Sequence, residues 1–130
     1  MKYYLKKSLK NTTFEKGVAK VIHELKNEGF GILTKIDMKA TLKEKLNVDF
    51  YNYMILGACN PPFAYEALQA EDKIGTMLPC NVIVQEKEKG TIEISAVDPA
   101  ASMSSVENKK LTSIAKEIKE KLKKVIQNLE

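Results

Sequence analysis

The chain has 130 residues and a formal net charge of +4, with 44% hydrophobic and 29% charged residues. This length and composition are typical of a globular domain, so we expect residues 1–130 to form a single domain around one core. No apolar run approaches the roughly 20 residues of a membrane-spanning helix, and the opening MKYYLKKSLK is too polar for a secretory signal. These features predict a cytoplasmic protein with no membrane partner and with both cysteines reduced.

The basic residues are all lysines, 21 in number, and the chain has no arginine or tryptophan. Specific recognition of phosphates and base edges depends on the bidentate guanidinium group of arginine. The composition therefore argues against a sequence-specific nucleic-acid partner and leaves open only salt-sensitive adhesion to polyanions. The ordinary alternative is a solvated lysine-rich surface.

The first quarter of the chain has the pattern of a strand followed by a helix. Residues 2–9 alternate as a strand does. The next segment, residues 11–29, has apolar residues at helical spacing, and Thr12 and Glu15 have the spacing of a capping box. Gly29 stands where a left-handed helix end is common.

The next elements predict two more strands, each followed by a helix. Residues 30–37 form a strand, and Met38–Leu46 forms a short helix that buries little beyond Leu42 and Leu46. Residues 50–59 are nearly continuously apolar, which indicates a strand in the interior of a sheet. Asn60 then has the position of a helix N-cap for Pro61–Ala70.

The second half predicts a hairpin and a long helix. Residues 76–86 form a strand that Pro79 interrupts, which places Pro79 at an edge or a bulge, and residues 91–98 form its partner. The final helix begins after a cap at Ser105. Its apolar stripe, which is expected to face the core, consists of Leu111, Ile114, Ala115, Ile118, Leu122, Val125, Ile126 and Leu129. The order strand, helix, four strands, helix, with short helical insertions, predicts an α+β fold with two long helices on one face of an antiparallel sheet.

The candidate site consists of Cys59, Asn60, Cys80 and Asn81, which repeat a Cys-Asn pair beside proline in an otherwise apolar context. Cys59 precedes a helix start, where the helix field lowers a thiol pKa and backbone N–H groups can hold a carboxylate or phosphate. The alternative is a purely structural role, in which Cys59 is a small buried hydrophobic residue that ends a strand. Spacing alone does not place the two cysteines together.

Metal binding and triad catalysis have little support in the sequence. A structural zinc site requires four Cys or His ligands, whereas the chain has two cysteines and one histidine. We therefore predict no metal site. His23 falls on the solvent side of the first helix, which leaves Cys59 without an evident general base.

The segments GACNPPFAYEAL and IGTMLPCNVIVQE, with the strand ending in AVDP, resemble the DUF302 family, a domain of unknown function. The resemblance covers nearly the whole chain. It implies an antiparallel sheet with the element order given above, similar to TATA-binding-protein-like and helix-grip folds. It implies no established activity or cofactor, and it implies a homodimer.

Three functional hypotheses follow. The first is a module that binds a small ligand at Cys59, Asn60, Cys80 and Asn81. The second is a thiol-based enzyme or redox protein in which Cys59 reacts and Cys80 resolves. The third is a structural or interaction protein with inert cysteines.

We also expect a homodimer formed through the sheet or its edge. The aromatic strand at residues 50–59 is apolar on both sides, and residues 76–84 carry no charge that would protect an exposed edge. The alternative is a monomer in which the short helices cover the second face of the sheet.

Overall fold

A computed structural model gives the structure of residues 2–130. Within this range the chain forms five β-strands, five α-helices and a 3₁₀ helix at Asp72–Met77. The strands are β1 (Tyr4–Lys10), β2 (Gly31–Asp37), β3 (Asn52–Cys59), β4 (Cys80–Glu88) and β5 (Thr91–Val97). The helices are α1 (Phe14–Asn27), α2 (Met38–Leu46), α3 (Pro61–Ala70), α4 (Pro99–Ser102) and α5 (Lys109–Asn128). The predicted α+β class is confirmed.

The five strands form one antiparallel sheet in the order β1-β5-β4-β3-β2. β3 is an interior strand, as its apolar sequence predicts, and β4 lies at the centre between β3 and β5. The prediction of a strand that runs through Pro79 is wrong, because residues 72–77 form the 3₁₀ helix and β4 begins after the proline. Pro79 therefore removes no hydrogen bond from the ladder at the centre of the sheet.

The helices α1 and α5 cover one face of the sheet and bury alternate strand residues beneath them. Val82 and Val84 of β4 and Ile94 of β5 have no exposed surface. The predicted stripe of the last helix is confirmed, because each of its eight residues is buried. α1 lies close to β5, where a Cβ atom at Gly17 would come 2.7 Å from the Ile92 Cγ2 atom.

The helix ends differ from the predicted ones at two caps. The N-cap of α1 is Thr13, whose side chain accepts from the Lys16 N–H, and Thr12 Oγ1 is buried without a partner. The N-cap of the last helix is Asn108, three residues after the predicted Ser105, and Pro99–Ser102 forms a short helix before it. Gly29 has a φ of +87°, which confirms the left-handed end of α1.

Helix α2 has the predicted bounds but buries less than predicted. Leu46 is 65% exposed, and no residue of this helix is fully buried. Its cap is the Asp37 carboxylate, which accepts from the Ala40 N–H. The helix is held by its ends and by partial contacts with β2 and β3.

The second face of the sheet carries side chains of all five strands. Ladder partners point to the same side of a sheet, and Ile83 pairs with Ile55 on one side and with Ser95 on the other. We call this surface the open face. It consists of Tyr4, Lys6, Ser8, Thr34, Ile36, Tyr53, Ile55, Gly57, Asn81, Ile83, Gln85, Glu93, Ser95 and Val97.

A bilayer-spanning helix is not found in residues 2–130. The described helices lack an 18-residue stretch that is both sufficiently apolar and nearly free of charge.

Candidate functional site

An apolar cleft of about 310 Å³ lies where the end of β3 and the start of β4 meet helices α3 and α5. The sheet side is formed by Ala58, Cys80 and the residues around them. The helix side is formed by apolar residues of α3 and α5, such as Phe63, Ala67 and Ile118. The volume is at the lower end of the range for small-molecule sites in proteins, about 300 to 1,000 Å³.

Both cysteines line this cleft, on neighbouring strands. Cys80 pairs with Ala58 in the β3–β4 ladder, so Cys59 is offset from Cys80 by one residue. Cys59 is half-buried and Cys80 is buried, and both thiols are free. Both residues border the cleft, with Cys80 on the face of the sheet that the helices cover and Cys59 at a strand position that alternates with it.

The Cys80 thiol is held in its neutral form. Burial, together with a smaller contribution from the nearby Cys59 thiol, raises the pKa of Cys80 from an ordinary value of 9.0 to about 11. A thiolate is the nucleophile in thiol chemistry. Cys80 is consequently unreactive near neutral pH, which weakens the hypothesis that it resolves a Cys59 disulfide.

Asn60 occupies the predicted N-cap position of α3, but its side chain makes no bond to that helix. Instead, its Nδ2 atom donates to the Glu28 carbonyl oxygen at 3.2 Å and ties the start of α3 to the end of α1. Asn60 is 8% exposed and also lines the cleft.

The start of α3 is a poor anion site, contrary to the expectation from its position. Pro61 and Pro62 occupy the first two helical positions, and proline has no backbone N–H. Two of the donors that hold a carboxylate or phosphate at a helix start are thus absent.

Asn81 does not join the other three predicted residues. It lies one position after Cys80 in a regular strand, so its side chain points to the opposite face of the sheet. There it is exposed, beside Tyr53 and Gln85 on the open face. The structure therefore places Cys59, Asn60 and Cys80 around the cleft and Asn81 on the opposite face of the sheet.

The sequence did not identify the apolar wall of the cleft. This wall includes Met103, just after α4, and Leu78, just before β4. Core residues and cavity-lining residues have the same periodicity, since both lie on the inward side of a helix. Only the packing of α3 against α5 shows which inward residues border empty space.

His23 lies on the exposed side of α1, as predicted, beside Leu129 and Glu130 near the chain end. Within residues 2–130, no three His, Cys, Asp or Glu side chains come together in an arrangement that could hold a metal ion.

Comparison with known proteins identifies a family. The model of the family "Domain of unknown function DUF302" matches residues 5–129. The chain is also similar to a solved structure, an uncharacterized conserved DUF302 protein from Bacillus stearothermophilus. The sequences are 27% identical over 100% of each chain, with a TM-score of 0.90.

The comparisons assign no activity. No functionally curated protein matches the chain, and both the family and the similar structure are described as of unknown function or uncharacterized. The match over almost the full length and the shared fold agree on one conclusion: the chain belongs to the DUF302 family.

Proposed function

We propose that this protein binds a small apolar molecule in the cleft between α3, α5 and the β3–β4 strand ends. The observation that carries the proposal is the cavity of about 310 Å³ beside Cys59, Asn60 and Cys80. Well-packed interiors leave few voids larger than a water molecule, because empty space forfeits dispersion contacts. A cavity of this size with apolar walls is suited to an apolar occupant.

A substitution that fills the cleft tests this proposal. Ala64 lies on α3 and lines the cleft, so Ala64→Phe is expected to displace the occupant. Native mass spectrometry of freshly purified protein should show an extra mass for the wild type that Ala64→Phe lacks.

The matched control is Ala19→Leu, because Ala19 is an exposed alanine of α1 away from the cleft. This variant should retain the occupant. Wild-type protein without added mass, and without uptake of any apolar probe, would contradict the proposal.

We also propose that two copies of the chain associate through the open face. The uncharged segment at residues 76–84 does not form an exposed edge, contrary to the prediction, because its strand β4 lies at the centre of the sheet. Association through the sheet face is supported instead, because α1 and α5 cover only the other face. An apolar row crosses the open face and consists of Ile36, Ile55 and Ile83. Beside it, Glu93 forms ion pairs with Lys6 and Lys87. An apolar centre with a charged rim is typical of stable interfaces.

A matched pair of tyrosine substitutions tests the association. Tyr53 lies on the open face, whereas Tyr65 is 66% exposed on α3, on the helix side of the sheet. Sedimentation equilibrium should give the mass of two chains for wild type and Tyr65→Lys, and the mass of one chain for Tyr53→Lys. A wild-type mass of one chain that is unchanged on tenfold concentration would exclude the dimer.

We also propose that the protein is cytoplasmic, because free thiols such as those of Cys59 and Cys80 are typical of a reducing compartment. Fractionation of cells that express the chain with its own termini tests it.

A further inference from the structure

We propose that the ligand of the cleft is an uncharged molecule that donates one hydrogen bond to Asn60 Oδ1, such as an alcohol or a phenol. This inference rests on the proposed function and specifies the chemical class of the ligand. It depends on three features of the cleft: a fixed and unused acceptor, the absence of charge, and the small volume.

The first feature is the acceptor. Asn60 is 8% exposed, and its Nδ2 atom donates to Glu28 O. Within residues 2–130, no group donates to Asn60 Oδ1, and the side chain makes no capping bond to α3. A nearly buried acceptor to which no protein group donates remains free to accept a hydrogen bond from a ligand.

The orientation of the amide is fixed by its neighbours. The Glu28 carbonyl oxygen can only accept, so the amide nitrogen must face it and Oδ1 must point away. Gly29 permits this approach, since a Cβ atom there would lie 3.1 Å from Asn60 Nδ2. Two structural features thus hold Oδ1 in one direction.

The acceptor remains accessible. In the part of the chain that the structure describes, Thr12 Oγ1 is the only fully buried side-chain nitrogen or oxygen atom without a hydrogen-bond partner. Asn60 Oδ1 also has no hydrogen-bond partner, and because it is not among the fully buried atoms it retains some exposed surface. Asn60 borders the cleft. A ligand in the cleft can therefore donate to it.

The second feature is the absence of charge. The described residues that line the cleft include no Lys, Asp, Glu or His. A buried ion requires a partner of opposite charge or several hydrogen bonds. Pro61 and Pro62 remove two backbone donors at the start of α3, so a carboxylate or phosphate would be left uncompensated.

The third feature is size. The volume of about 310 Å³ suits a molecule of one or two rings rather than a long lipid chain. The probes can therefore be three naphthalenes of similar shape: 1-naphthol, 1-methoxynaphthalene, which keeps the oxygen but lacks the donor, and 1-naphthoate, which is an anion at neutral pH.

Calorimetric titration of the wild-type protein at pH 7 should rank these probes. A hydrogen bond contributes about 0.5 to 1.5 kcal/mol net, which corresponds to a preference of roughly 2- to 13-fold for 1-naphthol over its ether. 1-Naphthoate should bind more weakly than either.

A matched pair of asparagine substitutions separates the hydrogen bond from the shape of the probe. In Asn60→Ala the preference for 1-naphthol over the ether should fall to about onefold. Asn81→Ala changes the other Cys-Asn pair, on the open face, and should leave both affinities unchanged.

The wild-type ranking tests the inference even if Asn60→Ala does not fold. Equal binding of 1-naphthol and the ether, or tightest binding of 1-naphthoate, would overturn the inference and leave the proposed cleft function standing. Binding of none of the three would overturn both.

Discussion

At the scale of single residues, Gly57 shows how closely three segments approach one another. It lies on β3 opposite Asn81, and a Cβ atom there would collide with Thr34 Oγ1 and lie 2.7 Å from Pro79 Cγ. The rigid proline ring and the branched threonine side chain leave little room for adjustment. Glycine is therefore required at this position for packing rather than for a positive φ.

We expect Gly57→Ala to lower the free energy of unfolding by about 1 to 3 kcal/mol, because overpacking forces backbone or rotamer shifts. The control is Gly31→Ala on the neighbouring strand, where a Cβ atom would have no neighbour within 4 Å. Urea denaturation measures both. Equal stability of the two variants would show that Pro79 and Thr34 move aside freely.

The second residue-scale prediction concerns Cys80 and pH. The pKa of Cys80 is about 11 in the folded state, against 9.0 ordinarily. Between these values the unfolded chain loses the thiol proton and the folded chain keeps it. Stability therefore falls as pH rises through this window, and the full contribution is present below pH 9.

Lysines and tyrosines also titrate in this range, so the measurement is a difference. The free energy of unfolding of the wild type should fall more steeply from pH 9 to pH 11 than that of Cys80→Ala. Parallel curves for the two proteins would contradict the raised pKa.

At the scale of elements, helix starts depend on side chains that the local sequence does not single out. Asn108 Oδ1 accepts from the Leu111 N–H at 3.1 Å, and Asn108 Nδ2 donates to the Ala70 carbonyl at 2.8 Å. One side chain thus begins α5 and satisfies a carbonyl at the end of α3. Ser105 is also a residue type that is common at an N-cap, but it makes neither of these two hydrogen bonds.

We expect Asn108→Ala to destabilise the protein by about 1 to 2 kcal/mol, because a lost N-cap costs about that much. Ser105→Ala should change stability by less than about 0.5 kcal/mol, as exposed substitutions usually do. Denaturant unfolding of both variants gives the comparison. A larger effect at Ser105 would place the start of the helix there instead.

At the scale of the whole molecule, the two ends of the chain are joined. Lys7 of β1 donates through Nζ to the carbonyl oxygens of Gln127 and Leu129, at 3.1 and 2.5 Å. A lysine at a helix C-terminus satisfies free carbonyls and complements the helix dipole. Leu129 itself is fully buried, so the last turn belongs to the global core.

We expect Leu129→Ala to destabilise the protein by about 2 to 4 kcal/mol, as truncation of buried leucines does. The control is Leu46→Ala, since Leu46 is 65% exposed, and its effect should stay below about 0.5 kcal/mol. Thermal unfolding should show one cooperative transition shifted downward for Leu129→Ala. An unchanged transition would mean that the last turn frays independently of the core.

The sequence determined the features that depend on local spacing. The helical period predicted the buried stripe that ends at Leu129, and the apolar run before Cys59 predicted an interior strand. Periodicity is informative here because solvent is on one side of each element and the core is on the other. For the candidate site, the sequence selected Cys59, Asn60 and Cys80 through their positions beside prolines.

Only the tertiary structure decided the features that depend on contacts between distant segments. Strand order placed β4 at the centre of the sheet rather than at an edge. The partners of Asn60 and Asn108, at Glu28 and Ala70, lie more than 30 residues away. The cleft exists because α3 and α5 do not fill the space above Ala58, and no local pattern distinguishes an inward residue that touches its neighbour from one that borders a void.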